Sequence, residues 1–280
     1  MRLKPAQTLQ YILMIVIAAV MLGPLVIMFT TSFKGDEFQA IKDLNGFRAF
    51  VLGADPSFKN YGDVINDATS PFLRFLLNTC IIVVSIIVLG VIVNSMAAYG
   101  LARHRFRGQA FLIAAVVALI IIPIESVAVP LLVMVNRVGW VDSYHVQVIP
   151  FIAHPFSIFL FYQFFTQLPK DLDDAARVDG ATPFQVYWRV VMPLSLPVIA
   201  TVAILQSLEY WNSFLWPLMV TRGTEFRPLS VAMAQFFGRD PREWGDIMAF
   251  SVMTSLPILI LYFAFQRWFI QSVVGSAVKG

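Results

Sequence analysis

Six long stretches of the sequence contain almost no charged residues, and this feature constrains the fold more than any other. Between Lys4 and Lys34, and again between Arg74 and Arg103, there is no Asp, Glu, Lys or Arg. A bilayer core selects for apolar runs of about 20 residues, whereas soluble proteins carry a charge at about a quarter of their positions. Only 13% of this chain is charged and 58% is hydrophobic. The pattern therefore predicts an all-α polytopic membrane protein.

These stretches predict six transmembrane helices in a single transmembrane domain that covers residues 1–280. A cleavable signal peptide is the alternative for the first stretch, but its apolar run is longer than a signal sequence needs and no small-residue cleavage site follows it. The predicted spans are residues 9–33, 75–102, 108–136, 146–169, 194–220 and 247–266. Several prolines fall within or beside these spans, which indicates kinked helices around a cavity.

Charge bias between loops predicts which side of the membrane each loop faces. Counted over all loops, the 20 basic residues divide evenly between the two sides, so the count decides nothing. The density of charge in short loops is the better form of the rule, and Arg103, His104, Arg105 and Arg107 crowd the turn between the second and third spans. We therefore expect this turn and both termini to be cytoplasmic. The outer loops are then residues 34–71, 137–145 and 222–246.

The inner loop of residues 168–193 is long enough to fold, and its local signals predict two short helices. The first begins with three aspartates, which suit a helix N-terminus: Asp171, Asp173 and Asp174. Gly180 can end that helix as its C′ residue, and Thr182 can cap a second helix with Pro183 in first position. The apolar residues on one predicted face of the second helix are Phe184, Tyr187, Trp188 and Val191. From the residues alone, this face packs either on the chain's own helix ends or on a partner protein.

The same loop carries a recognisable motif. Residues 174–181 read Asp-Ala-Ala-Arg-Val-Asp-Gly-Ala, and Val191-Met192-Pro193-Leu194 and Pro197 follow. This pattern resembles the EAA loop of binding-protein-dependent ABC importer permeases, with Asp174 in place of the usual glutamate and Val190 and Met192 in place of the usual aliphatic pair. The resemblance implies that a separate ATPase is coupled through Asp174, Ala175, Ala176, Asp179, Gly180, Ala181, Phe184, Trp188 and Pro193.

Segments outside the loop resemble the carbohydrate uptake branch of these permeases, and within it the MalG-type subunit. They are Phe159-Leu160, Gln163-Phe164-Phe165, residues 211–218, Gln266-Arg267-Trp268-Phe269 and Ala277-Val278-Lys279-Gly280. The resemblance implies a multi-pass subunit of the prokaryotic plasma (inner) membrane. Its implied partners are a homologous second permease, an ATPase dimer on the cytoplasmic side and an extracytoplasmic solute-binding protein. The implied solute is a sugar, with glycerol phosphate or another polar solute of the same family as the alternative.

The lysines bear on the energy source. None of the six follows a glycine, so the Gly-Lys-Ser/Thr of a phosphate-binding loop is absent from the sequence. We therefore expect this chain to be a non-catalytic subunit that binds no cofactor or metal, while ATP and Mg²⁺ bind to the partner ATPase. No HExxH or GxSxG occurs to support a membrane hydrolase. The small net charge of +3 gives no basic stripe for nucleic acid.

Two acidic residues lie inside predicted spans, where charges are costly and are functional candidates by default. Glu125 lies in the third span, and Glu209 lies in the fifth span next to polar and aromatic residues. The predicted lining of a translocation path is Glu209, Tyr210, Trp211, Asn212, Gln206 and Glu125. The alternatives are that these carboxylates are structural, or that they couple an ion in a secondary transporter. His154 receives no role, since a lone histidine is more often hydrogen-bonded packing.

Overall fold

In the computed structural model, which describes residues 5–53 and 55–277, every regular element is a helix. This confirms the all-α prediction for the described residues. Residues 1–4 and 278–280 lie outside them, and so do the expectations for both termini and for Val278-Lys279-Gly280. In chain order the helices are α1 (Pro5–Ser32), α2 (Glu37–Leu44), α3 (Lys59–Asn66), α4 (Phe72–Arg103), α5 (Gln109–Ile120), α6 (Ile124–Arg137), α7 (Tyr144–Val148), α8 (Pro155–Gln167), α9 (Asp171–Val178), α10 (Pro183–Val186), α11 (Met192–Leu194), α12 (Leu196–Trp211), α13 (Leu215–Val220), α14 (Leu229–Phe237) and α15 (Trp244–Ala277).

Within the described residues, three helices are long and apolar enough to cross a membrane: α1, α4 and α15. Three further candidate spans are pairs of helices that are bent at a short break. The bend is 100° between α5 and α6, 40° between residues 144–151 and α8, and 74° between residues 183–194 and α12. The described chain therefore holds three to six candidate spans. The fifth predicted span, residues 194–220, is not one helix, because α12 ends at Trp211 and α13 starts anew at Leu215.

Prolines lie at each of the three bends. Pro123 is the N-cap residue of α6, Pro155 is the first residue of α8, and Pro197 is the second residue of α12. Proline lacks a backbone N–H, so it is tolerated at a helix start and cannot continue a preceding helix. At these three bends a new helix therefore begins after a break, whereas Pro24, Pro130 and Pro257 lie inside the continuous helices α1, α6 and α15.

The chain divides into two compact units, which are described separately. The first comprises Met1–Leu76 and Ala232–Pro257, and the second comprises Leu77–Val231 and Ile258–Gly280.

A buried ion pair orders the first unit. Lys34 is 3% exposed, and its Nζ lies 3.0 Å from Asp43 Oδ2 while donating to the Arg48 carbonyl at 2.9 Å. Asn60, also buried, donates through Nδ2 to the carbonyls of Ser32 and Lys34. Since buried polar groups must be hydrogen-bonded, these contacts fix the segment after α1 as folded structure and not as a loose loop.

The start of α15 is held by a carboxylate from α2. Glu37 accepts from the backbone N–H of Trp244 at 2.6 Å and of Gly245 at 3.0 Å. The negative charge complements the helix dipole and satisfies N–H groups that have no partner within a helix. Gly245 is required by close approach, because a Cβ at this position would lie 2.5 Å from Asn60 Nδ2.

Asp67 and Arg239 form a partly buried ion pair within the first unit. Burial alone would raise the pKa of Asp67, but hydrogen bonds from Thr69 and Arg239 outweigh burial and hold its pKa below the usual value. The Arg239 guanidinium also lies 4.2 Å from the centre of the Phe236 ring, a cation–π contact.

The core of the second unit joins α4, α8 and α12 to the residues between α9 and α12. Its buried residues are Ala98, Tyr99, Phe161, Phe165, Val186, Tyr187, Val191, Val198 and Val202. Within a membrane such a core is stabilised by close packing and hydrogen bonds, because lipid is as apolar as the side chains. One hydrogen bond joins Tyr187 Oη to Ser95 Oγ at 2.8 Å.

Candidate functional sites

The first candidate site is the two-helix loop of residues 168–193. Gly180 has φ of +84°, its N–H bonds the Arg177 carbonyl at 3.0 Å, and the Ala181 N–H bonds the Ala176 carbonyl at 2.9 Å. This pair of bonds is the Schellman motif, which needs a left-handed residue that is usually glycine. The predicted helix end at Gly180 is therefore confirmed.

The second helix begins as the sequence predicts. Thr182 Oγ1 accepts from the Gln185 N–H, Gln185 Oε1 accepts from the Thr182 N–H, and Pro183 is the first helical residue. This reciprocal capping box satisfies two backbone donors at the helix start. The turn between the two helices is thus closed on both sides by hydrogen bonds.

The single apolar face predicted for the second helix is wrong. Tyr187 and Val191 are 3% and 1% exposed, whereas Phe184 and Trp188 are 63% and 52% exposed. Residues 187–191 form a π-helical turn, which rotates side chains away from the 3.6-residue spacing on which the prediction depended. Two stripes result, one packed in the core of the second unit and one presented to the outside.

A buried ion pair fixes α9 to the end of α4. Arg103 Nε lies 3.3 Å from Asp173 Oδ2, and the two side chains are 2% and 7% exposed. Arg103 Nη1 also donates to the Leu168 carbonyl at 3.1 Å. In the sequence, Arg103 indicates only a dense basic turn, and Asp173 only an acidic helix start. The contact spans 70 residues, and no local pattern indicates it.

The residues predicted to contact an ATPase are therefore divided by burial. Ala176 and Ala181 are half-buried against the core of the second unit. The exposed members are Asp174, Ala175, Asp179, Gly180, Phe184, Trp188 and Pro193. Together with Val178, which is 88% exposed, they form a protruding surface with apolar and acidic groups side by side. We call the part of this surface within residues 174–188 the knob, so that Pro193 lies outside it.

The second candidate site is a cavity of about 920 Å³. Three helix interruptions contribute to its lining, at residues 119–125, 150–156 and 209–216. Irregular backbone at membrane depth is tolerated only where it is buried in protein or lines a wet cavity. The polar side chains in the lining are Glu125, His154, Glu209, Tyr210, Asn212 and Ser213.

Of the predicted lining residues, four lie at this cavity and two do not. Glu125, Glu209, Tyr210 and Asn212 line it. Gln206 is 1% exposed and Trp211 is 8% exposed, and both belong to the buried side of α12. Gln206 instead donates through Nε2 to Ser157 Oγ at 3.2 Å.

Asn94 of α4 hydrogen-bonds two backbone groups at the break before α8. Its Nδ2 donates to the Ile152 carbonyl at 3.1 Å, and its Oδ1 accepts from the His154 N–H at 2.9 Å. Asn94 is fully buried, so these bonds replace the water that is missing at this depth. Gly90, one turn away on α4, permits the approach, since a Cβ there would lie 3.3 Å from the Ile152 carbonyl oxygen.

His154 connects this break to Glu209. Its Nδ1 lies 3.0 Å from Ser157 Oγ and accepts from the Ser157 N–H, which makes His154 the N-cap residue of α8. Its Nε2 lies 3.4 Å from Glu209 Oε2, and the Glu209 side chain is 53% exposed toward the cavity. Sequence reasoning missed this role for His154. The His-Pro pair at the predicted kink is the signal that indicates it.

A family model described as binding-protein-dependent transport system inner membrane component matches residues 59–275. The chain is 37% identical over 203 residues to the arabinooligosaccharides transport system permease protein AraQ of Halalkalibacterium halodurans, covering 72% of this chain and 73% of that protein. It is 30% identical over 269 residues to the trehalose/maltose transport system permease protein MalG of Thermococcus litoralis, covering 95% and 94%.

A solved structure has a similar fold. The crystal structure of a bacterial ABC transporter involved in the import of the acidic polysaccharide alginate superposes with a TM-score of 0.81 at 24% identity. The match covers 96% of this chain and 99% of that chain.

Proposed function

Since this chain belongs to the binding-protein-dependent transport system inner membrane component family, we propose how its two sites serve solute import. The chain is the permease subunit of an ABC importer and a non-catalytic, multi-pass component of the inner membrane. The proposed solute is a carbohydrate, in line with the names of the two relatives. The observation that carries the proposal is the cavity at which three helix breaks meet polar side chains.

The proposed topology has six spans, in which each bent pair crosses the membrane once and both termini are cytoplasmic. The knob then lies on the cytoplasmic side, as the dense basic turn between α4 and α5 favours. The apolar surface of α1 supports a place for the homologous second permease, because the most apolar 18 residues of that helix have no buried member. An extracytoplasmic binding protein would deliver solute from the opposite side.

The knob is the proposed contact for a separate ATPase dimer, which binds ATP and Mg²⁺. Phe184 and Trp188 present aromatic area, and large aromatic side chains in a pocket provide most of the energy at protein interfaces. The Schellman turn at Gly180 and the Thr182 capping box make the knob rigid, so a motion of the ATPase is transmitted and not absorbed by a loose loop. The ion pair between Arg103 and Asp173 joins this motion to α4.

The charge of the cavity selects among solutes. Glu125 and Glu209 both line it, and none of the described lining residues is Lys or Arg. Two carboxylates that face the same cavity disfavour a phosphate or uronate, because like charges repel each other. Tyr210, Trp216 and Phe214 add flat aromatic surface and Asn212 adds an amide. We therefore favour a neutral oligosaccharide or an amino sugar over glycerol phosphate.

Two measurements test this function. The first is isothermal calorimetry of the importer's solute-binding protein with neutral oligosaccharides, amino sugars and glycerol phosphate. The tightest ligand is expected to be a neutral oligosaccharide or an amino sugar. A phosphorylated solute as the tightest ligand contradicts the solute class. In proteoliposomes with the complete importer, Phe184→Ala/Trp188→Ala is expected to abolish uptake and release the ATPase.

A matched control separates the two sites. Glu209→Gln should change the rate or preference of uptake while the ATPase still copurifies, whereas Asp55→Asn, which removes an exposed carboxylate that does not line the cavity, should change neither. Unchanged rate and preference in Glu209→Gln would show that the cavity is not the path.

A further inference from the structure

A second cavity lies along the end of α4 and the length of α5, and it shares Leu119 with the lining of the first cavity. Its volume is about 450 Å³, and all of its lining residues are apolar or glycine. The lining residues are Met96, Ala97, Gly100, Leu101, Phe106, Leu112, Ala115, Val116, Leu119 and Ile158. We call this feature the α4–α5 groove. From Leu112 to Leu119 it runs about 10 Å along α5, at the helical rise per residue.

One end of the groove meets the basic turn. Phe106 lines the groove and is flanked in sequence by Arg105 and Arg107. Both arginines are exposed, and within the described residues neither makes an ion pair or a side-chain hydrogen bond. Arg103, by contrast, is buried and paired with Asp173. Two arginines without an ion-pair partner among the described residues therefore flank Phe106 in the sequence, at one end of an apolar groove.

These two observations together define the chemistry of the occupant. An apolar groove open to the bilayer takes a hydrocarbon chain, while free guanidinium groups at membrane-surface level bind an anionic headgroup with geometry that suits phosphate. The N-terminus of α5 adds positive potential, and its N-cap residue, Gly108, has no side chain that could accept a hydrogen bond there. A zwitterionic lipid could fill the groove with its acyl chain, but its headgroup has no net negative charge to pair with the arginines.

We propose that the α4–α5 groove is a site for one anionic phospholipid, with an acyl chain along α5 and the phosphate group between Arg105 and Arg107. The site does not depend on the sugar proposal or on which side the turn faces. Its occupant stabilises the junction of α4 and α5, next to the ion pair that holds the knob.

The test titrates spin-labelled phosphatidylglycerol or phosphatidylcholine into the complete, delipidated importer and measures the immobilised lipid by electron paramagnetic resonance. At about 1 kcal/mol per arginine, two arginines give phosphatidylglycerol a preference of about thirtyfold. Arg105→Gln/Arg107→Gln should reduce this preference to near one. The control Arg137→Gln/Arg242→Gln removes the same charge at exposed positions outside the groove and should retain the preference.

A second variant tests the groove itself. Ala115→Trp fills the groove and leaves both arginines in place, so it should remove the strongly immobilised component for both lipids. Equal affinity of the unmodified importer for the two lipids overturns the proposal. The proposal is also overturned if the variant Arg105→Gln/Arg107→Gln keeps its preference for phosphatidylglycerol but loses the ATPase on purification. That result would show that the turn contacts a protein.

Discussion

Removal of the Asp173 carboxylate tests how the knob is anchored. The carboxylate is the charged partner of Arg103, whose side chain is 2% exposed and which cannot lose its proton. Asp173→Leu therefore leaves a buried guanidinium with only the Leu168 carbonyl as partner. Breaking one side of a buried ion pair costs about 3–5 kcal/mol. A loss of this size is a large fraction of the stability of a typical domain, about 5–15 kcal/mol.

The double variant Arg103→Leu/Asp173→Leu separates the charge from the packing. In the native pair, Arg103 Nε and Nη2 and Asp173 Oδ1 have no hydrogen-bond partner, so the pair is imperfectly compensated. Replacing such a pair with apolar residues is often neutral or stabilising. We therefore expect the double variant to lie within about 1 kcal/mol of the native protein. The expected coupling between the two positions is correspondingly large.

Hydrogen exchange of the α9 amides in the complete importer measures the effect. Asp173→Leu should raise the exchange rate of α9 by about 100-fold or more, since every 1.4 kcal/mol is tenfold. The control is the exposed pair Lys59–Asp63, at 3.3 Å with side chains 63% and 46% exposed, where Asp63→Leu should change little. The reasoning fails if α9 exchange is unchanged in Asp173→Leu, or if the double variant exchanges as fast as the single one.

Three further changes have expected outcomes. Gly180→Ala should destabilise α9 by about 1 kcal/mol because of its φ of +84°, whereas Gly62→Ala, within α3, should be neutral or stabilising; thermal unfolding compares them. Asn94→Leu leaves two backbone groups unsatisfied and should cost about 1–3 kcal/mol for each, seen as faster exchange at residues 152–157 with α9 unaffected. The pKa of Asp67 is lowered on folding, so its ionised carboxylate stabilises the folded state fully above its unfolded pKa of about 3.9, and this stabilisation is lost as the pH falls below that value. The check is the free energy of unfolding as a function of pH. If Asp67→Asn retains this acid dependence, the assignment is contradicted.

The parts of the knob that sequence predicted are those fixed by local hydrogen bonds. A glycine at the C′ position and a Thr-Pro helix start involve residues within five positions of each other, and their backbone geometry does not depend on the rest of the fold. The burial of the second helix was mispredicted for a related reason. Residues 187–191 form a π-helical turn, and Tyr187 and Val191 pack in a core built from distant helices; a rule based on the 3.6-residue spacing includes neither feature.

For the cavity too, the sequence predicted some features and missed others. Hydropathy indicated that Glu125 and Glu209 lie at membrane depth, and the prolines indicated kinks. The sequence does not indicate which way each side chain faces once a helix restarts after a break. Gln206 was therefore expected in the lining, although it is buried against Ser157. Asn94 is one polar residue among many in α4, and its role depends on a break that lies 58 residues away.

The helix α12 connects the two proposed sites within the second unit. At its start, Ser195 Oγ bonds the Val191 carbonyl at 2.6 Å, and Val198 and Val202 pack in the same core as Tyr187. At its other end, Glu209 reaches the cavity beside His154. The distance from Leu196 to Glu209 along a continuous helix is about 20 Å. Because the helix has no interruption between these points and closely packed interiors transmit strain, we expect a displacement of the knob to be transmitted along α12 to Glu209, or to break the core that joins them.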